Sequence, residues 1–144
     1  MQLNSSLHNR FQVIAPTILR IGIALVFLWF GFQQLIKASM WIKLIPQSMI
    51  EISNLSATTL VYLNGSFEIV FGLCLLLGFF TRTTAFLLSV HIINITFVVG
   101  YNAIGVRDFG LSMATIALFL YGSDSVSLDA WLMQRNSSKQ SLDM

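Results

Sequence analysis

From Ile21 to Ile36 the chain reads IGIALVFLWFGFQQLI with no charged residue, and counting back to Pro16 gives about 20 residues, or ~30 Å of helix at 1.5 Å per residue. This run constrains the fold more than any other feature. Lipid cannot satisfy exposed backbone N–H and C=O groups, so a spanning segment has to close its hydrogen bonds within a helix. Three more runs follow, from Leu60 to Phe80, from Thr84 to about Tyr101, and from Asp108 to Gly122, with Gly78, Gly100, Gly105 and Gly122 as punctuation near their ends. The last is short, roughly 22 Å. With 56% hydrophobic and only 10% charged residues, the chain has too little polar surface to coat a soluble globule.

The expected fold class is therefore all-α: a four-transmembrane-helix bundle in a lipid bilayer. Residues 1–15 read as a polar cytoplasmic tail, with Pro16 suited to the first turn of a helix because its missing N–H goes unused there. Residues 16–122 form the transmembrane domain and 123–144 a C-terminal surface segment and disordered tail. Arg20, one turn inside the first helix, is expected to snorkel to the headgroups. A cleaved signal peptide is the rival reading of the N-terminal run, and three further apolar spans argue against it. Between helices 1 and 2, Lys37 to Thr59 is too charged and too broken by Pro46 to span, yet it is rich in apolar residues. It reads as short interfacial helices with Trp41 at headgroup depth, or as a lid over a cavity. Arg10, Arg20, Arg82, Arg135 and Lys139 on one side, against Lys37, Lys43 and Arg107 on the other, favour both termini in the cytoplasm.

Eight scattered basic residues and a net charge of +2 supply no basic run to track a phosphate backbone, which sets nucleic acid aside as a partner. The single cysteine, Cys74, lies in an apolar run and can make no intramolecular disulfide. Any redox role needs an electron carrier from elsewhere.

The informative residues are the polar ones inside the spans. A charge at a helix centre costs on the order of 3 kcal/mol on insertion scales, so Glu68 has to face the bundle interior, be paired, or be neutral. Asn64, Glu68 and Gly72 are four residues apart and share a helix face, on which the glycine admits a close neighbour. In the next span, His91 and Asn94 share a face. Counted from the Phe80–Thr83 turn, Glu68 lies ~18 Å deep, His91 ~13 Å and Asn94 ~18 Å. Two readings follow for the four residues: hydrogen bonds that fix helix register, or a site for a ligand headgroup or proton path, His91 and Glu68 being able to change protonation and bond a quinone-like oxygen. A haem held by two histidines lacks its second ligand in the bundle, since His8 is in the tail; a His and Met pair stays open. Toward the other surface, Gln33 and Gln34 end the first span, Tyr101 and Asn102 the third, and Arg107 and Asp108 open the fourth. Asp108 is expected to cap that helix, and Arg107 either binds an anionic headgroup or substrate or pairs with Asp108 or Glu51.

The segment Phe71 to Ala85, with its Gly78-Phe79-Phe80-Thr81-Arg82 turn, then Arg107-Asp108-Phe109-Gly110-Leu111 and Ser127-Leu128-Asp129, together resemble the DoxX family of small four-helix membrane proteins. The segment Leu25 to Leu35 fits as well, and the resemblance runs over roughly residues 17 to 132. It implies a prokaryotic cytoplasmic (inner) membrane protein with both termini inside, and it marks Arg82, Arg107 and Asp108 as family-pattern positions. The wider family includes a subunit of thiosulfate:quinone oxidoreductase and members linked to oxidative-stress complexes, while most members have no established reaction. A thiosulfate-oxidising activity is expected to need a soluble or membrane redox partner, since the sequence runs only twelve residues past Leu132. The resulting expectation is a membrane subunit of a quinone-linked redox system, an oxidoreductase subunit without its own redox centre. Asn64, Glu68, His91, Asn94, Arg107 and Asp108 would be the ligand-binding residues. The alternatives are a non-catalytic scaffold for partner proteins and a small-solute transporter, the latter requiring a homo-oligomer for room to move.

Overall fold

The computed structural model describes residues 3–140. Among the described residues, four helices are long and apolar enough to cross a membrane. They are α1 (Leu3–Ile36), α4 (Ala57–Leu77), α5 (Thr81–Val99) and α6 (Ala103–Tyr121). Between α1 and α4 come α2 (Ala38–Trp41), a 3₁₀ turn (Ile42–Leu44) and α3 (Gln47–Ser53), the short helices expected of that stretch. A final helix, α7 (Leu128–Gln140), follows α6. A disordered end is expected after Leu132, whereas α7 continues to Gln140; residues 141–144 lie outside the described residues.

Two helix starts differ from the sequence reading. Helix α1 runs 34 residues with Pro16 in its interior, so the chain is already helical at Leu3 where a tail was expected. A proline inside a membrane helix forfeits one hydrogen bond, and neighbouring groups can re-satisfy the freed carbonyl. Helix α6 begins five residues before Asp108, because Asn102, in extended conformation, accepts from the backbone N–H groups of Ile104 and Gly105 at 2.9 and 3.1 Å. The cap is therefore Asn102. Asp108 sits one turn further in, and α6 reaches ~28 Å, a full span.

Helix α1 pairs mainly with α4, and α5 with α6. The first pair is held by glycines: a Cβ on Gly31 would lie 2.8 Å from the Gly65 carbonyl oxygen, and one on Gly65 would lie 2.9 Å from the Gly31 oxygen. Gly72, the glycine singled out from sequence, faces the Leu28 side chain more loosely, at 3.2 Å. The core joining the two pairs comprises Ile23, Ala24 and Phe27 from α1, Leu75 from α4, Ala85, Leu88 and Ile92 from α5, and Leu118 from α6. Buried Ser89, Ser112 and Thr115 give their hydroxyls to carbonyls of their own helices, which keeps them satisfied at small-residue contacts.

At the end bearing the α4–α5 turn, residues 124–129 fold back over the bundle. Arg20 does not snorkel there. Its Nε donates to Asp124 Oδ2 at 2.7 Å, its Nη1 to the carbonyls of Leu75 and Leu76, and the residue is 2% exposed. Gly78 ends α4 in the left-handed conformation (φ 68°), and Phe80 just before α5 is left-handed as well (φ 46°). The Asp129 carboxylate holds that turn, accepting from the backbone N–H groups of Phe80 and Thr81 and from the Thr81 hydroxyl at 2.7 to 2.9 Å, while its own N–H donates to the Gly78 carbonyl. Asp129 thus supplies the cap that α5 lacks in its own sequence. Asp129→Ala is expected to destabilise the protein by about 1–2 kcal/mol, measured by denaturant unfolding in detergent; no change would mean that water replaces the carboxylate. Arg82, on the same turn, donates to the Leu120 carbonyl near the end of α6 at 3.3 Å.

Candidate functional site

At the opposite end of the bundle the two helix pairs part around a cavity of about 210 Å³. Its walls come from α1 (Phe27, Phe30, Gln34), α4 (Val61, Asn64, Glu68), α5 (His91, Ile92, Asn94, Ile95, Val98, Val99) and α6 (Ile104, Arg107, Asp108, Leu111). The short helices between α1 and α4 roof it with Trp41, Leu44, Ile45, Pro46 and Met49. All six residues singled out from sequence line this one cavity, and their roles within it differ.

Gln34 completes the polar end, although sequence reading left it at the end of a span. Helix α1 buries Arg20, Ile23, Ala24, Phe27, Gly31 and Gln34 along one stripe at three- and four-residue spacing, which turns Gln34 inward and leaves Gln33 half-buried. That periodicity was the available signal. Gln34 Nε2 donates to Glu68 Oε2 at 2.8 Å, and Asn64 Nδ2 donates to both Gln34 Oε1 (2.7 Å) and Glu68 Oε1 (3.1 Å). The close approach of Gly31 and Gly65 lets α1 deliver the glutamine to the carboxyl group. Glu68 is 4% exposed, so these bonds replace water.

His91 reaches Glu68 from across the cavity, with Nε2 3.5 Å from Oε1, an ion-pair distance without hydrogen-bond geometry. That nitrogen is buried and has no hydrogen-bond partner, and the ring stacks on Phe67 with centroids 4.5 Å apart. Asn94, expected level with Glu68, is exposed and spends its amide on the Val90 carbonyl of its own helix, so it lines the wall without joining the network. The helix α5 register brings His91 to the carboxyl group instead.

Arg107 and Asp108 form the second polar patch. Arg107 Nε and Nη2 both contact Asp108 Oδ1, at 2.8 and 2.7 Å, with the carboxylate buried and the guanidinium about half exposed. Asp108, expected as a cap, is the buried anchor of this pair. The guanidinium carbon lies 4.4 Å from the centroid of the Phe30 ring, which in turn meets the Trp41 ring edge-on at 5.8 Å. An Arg–Phe–Trp stack therefore ties α6 to α1 and to the roof. Leu44, Met49, Asn94, Val98 and Arg107 both line the cavity and are exposed, so its mouth lies between roof and α5–α6 pair and is largely apolar. Cys74 is half-buried and is not among the lining residues.

These features define a polytopic membrane protein with four spans and, beneath an interfacial roof, a cavity with polar ends and apolar walls. The DoxX family model matches residues 15–101, more than half of the sequence, and the chain belongs to the DoxX family. Arg107 and Asp108 lie beyond the matched segment. Comparison with curated proteins and with solved structures gave no match.

Proposed function

We propose that the protein is the membrane subunit of a quinone-linked redox system, binding the head of a quinone-like amphiphile in the cavity beneath the roof. It lies in a prokaryotic inner membrane with both termini cytoplasmic, and a partner protein supplies the redox centre. The observation that carries the reading is the arrangement of the cavity itself. A desolvated carboxyl group with two amides and an imidazole stands at one end, an Arg–Asp pair at another, and aromatic and aliphatic walls between them. Ligand sites typically combine such apolar walls with a few convergent polar groups. At about 210 Å³ the cavity takes a ring-sized head, and its apolar mouth leaves a tail among the lipid chains.

Trp41 in the roof makes binding readable in a background with Trp29 and Trp131 replaced by Phe, the background used for every fluorescence test below. Quenching of its fluorescence by an added decyl-chain quinone or quinol, together with mass spectrometry of what copurifies in native lipid, tests the site directly. Glu68→Gln is expected to leave thermal stability in detergent nearly unchanged while abolishing both signals. The rival reading, a scaffold for partner proteins, draws on the exposed apolar side chains of the roof, among them Met40 and Ile52. Under that reading no ligand copurifies and the same substitution changes only stability.

A further inference from the structure

The hydrogen-bond ledger of the polar end restricts what its ligand can be. Both Glu68 oxygens accept, one from Gln34 and one from Asn64. This fixes the orientation of both amides, since turning either would set its carbonyl against the carboxylate. Asn64 then has both N–H groups committed, to Gln34 Oε1 and Glu68 Oε1, and its carbonyl oxygen is left over. Gln34 keeps one uncommitted N–H. The spare capacity at this end is therefore mixed: the Asn64 carbonyl oxygen and the remaining lone pairs of the Glu68 carboxyl group accept, against one Gln34 N–H and the unpartnered His91 Nε2, which donates in one tautomer and accepts in the other. A head that only accepts would pair with the donors alone and set its lone pairs against the Asn64 and Glu68 oxygens.

From this we infer that the polar end takes a hydroxyl-bearing ring, the reduced quinol form or a phenol of the same shape, in preference to the quinone. A hydroxyl donates to the acceptor cluster and accepts the remaining Gln34 N–H, which a carbonyl can match only in part. An ammonium head would also donate, but the roof above the cavity carries Lys37 and Lys43 against Glu51 alone, and Arg107 stands at the mouth. The neutral donor is the better fit. The inference rests on the proposed site and adds the oxidation state of its occupant: the protein holds the reduced form, as a subunit that receives or retains quinol does.

The test uses the full-length protein in lipid nanodiscs under anaerobic conditions, with two matched pairs followed by Trp41 fluorescence. One pair is a decyl-hydroquinone and its benzoquinone; the other is a redox-inert 4-alkylphenol and its methyl ether. The hydroxyl member of each pair is expected to bind about tenfold more tightly or better. Glu68→Gln should bring that member down to the level of its partner or below. Should that variant fail to fold, the wild-type pairs decide alone. Equal or tighter binding of the quinone or the ether overturns the inference and leaves the proposed site standing. Tighter binding of an alkylamine of equal chain length than of the phenol overturns it in favour of a cation site. Binding of none of these probes removes the proposed site and the inference with it.

Discussion

Arg20→Ala is expected to destabilise the folded protein by about 3–5 kcal/mol, the range for breaking one partner out of a buried ion pair. Three things fail at once in that variant. The Asp124 carboxylate stays buried without its guanidinium, the carbonyls of Leu75 and Leu76 lose a shared donor, and the 124–129 segment loses its hold on α1. Replacing both partners by apolar residues of similar volume, Arg20→Met with Asp124→Leu, should recover most of that loss, because no uncompensated charge remains. Unfolding in mixed micelles by a denaturing detergent, followed by circular dichroism, compares the two. A single variant as stable as the wild type would mean that Arg20 reaches the headgroups in solution, as its place in the sequence suggested.

Gly65→Val should have the next largest effect, with two consequences that separate cleanly. Its Cβ would stand 2.9 Å from both the Gly31 carbonyl oxygen and Gln34 Cβ, closer than real Cβ contacts come, and the oxygen belongs to a backbone that cannot rotate away. Helices α1 and α4 have to move apart, at a cost of about 1–3 kcal/mol or more. The same displacement withdraws Gln34 from Glu68, so ligand-dependent quenching of Trp41 should vanish even in the fraction that folds. Gly22→Ala and Gly110→Ala are the matched controls. Nothing lies within 4 Å of a Cβ at either position, and each should be neutral or stabilising by up to about 1 kcal/mol from helix propensity. If Gly65→Val behaved like those controls, the α1–α4 contact would not be as close as described.

The four spans were legible because hydropathy over 20 residues leaves lipid-exposed chain few options but a helix, and Glu68 was legible because a carboxyl group in that setting demands partners. Partner identity was harder. Asn64 and His91 follow from helical spacing and from the adjacency of α4 and α5 in sequence, whereas Gln34 comes from α1, with three short elements between it and α4. Its inward turn depends on Gly31 meeting Gly65, a contact that neither segment announces alone. Asn94 shares the polar character of the cluster but points a turn away from it. Arg20 and Asp124 were missed as a pair because they are 104 residues apart, and each has an innocuous local explanation as headgroup anchor or loop acid. The true cap of α6, Asn102, was read as the end of the preceding span, since an asparagine after Gly100 suits a turn equally well.

The late position of residues 124–129 also bears on how the chain is made. During synthesis Arg20 emerges 104 residues before Asp124, and the α4–α5 turn forms long before Asp129 exists to brace it. Until residues 124–129 have been made, the guanidinium has to stay with water or phosphate, and α5 starts without its cap. Premature termination between Gly122 and Asp124 would release a product with all four spans inserted and that end of the bundle unfastened, a ready substrate for membrane proteases.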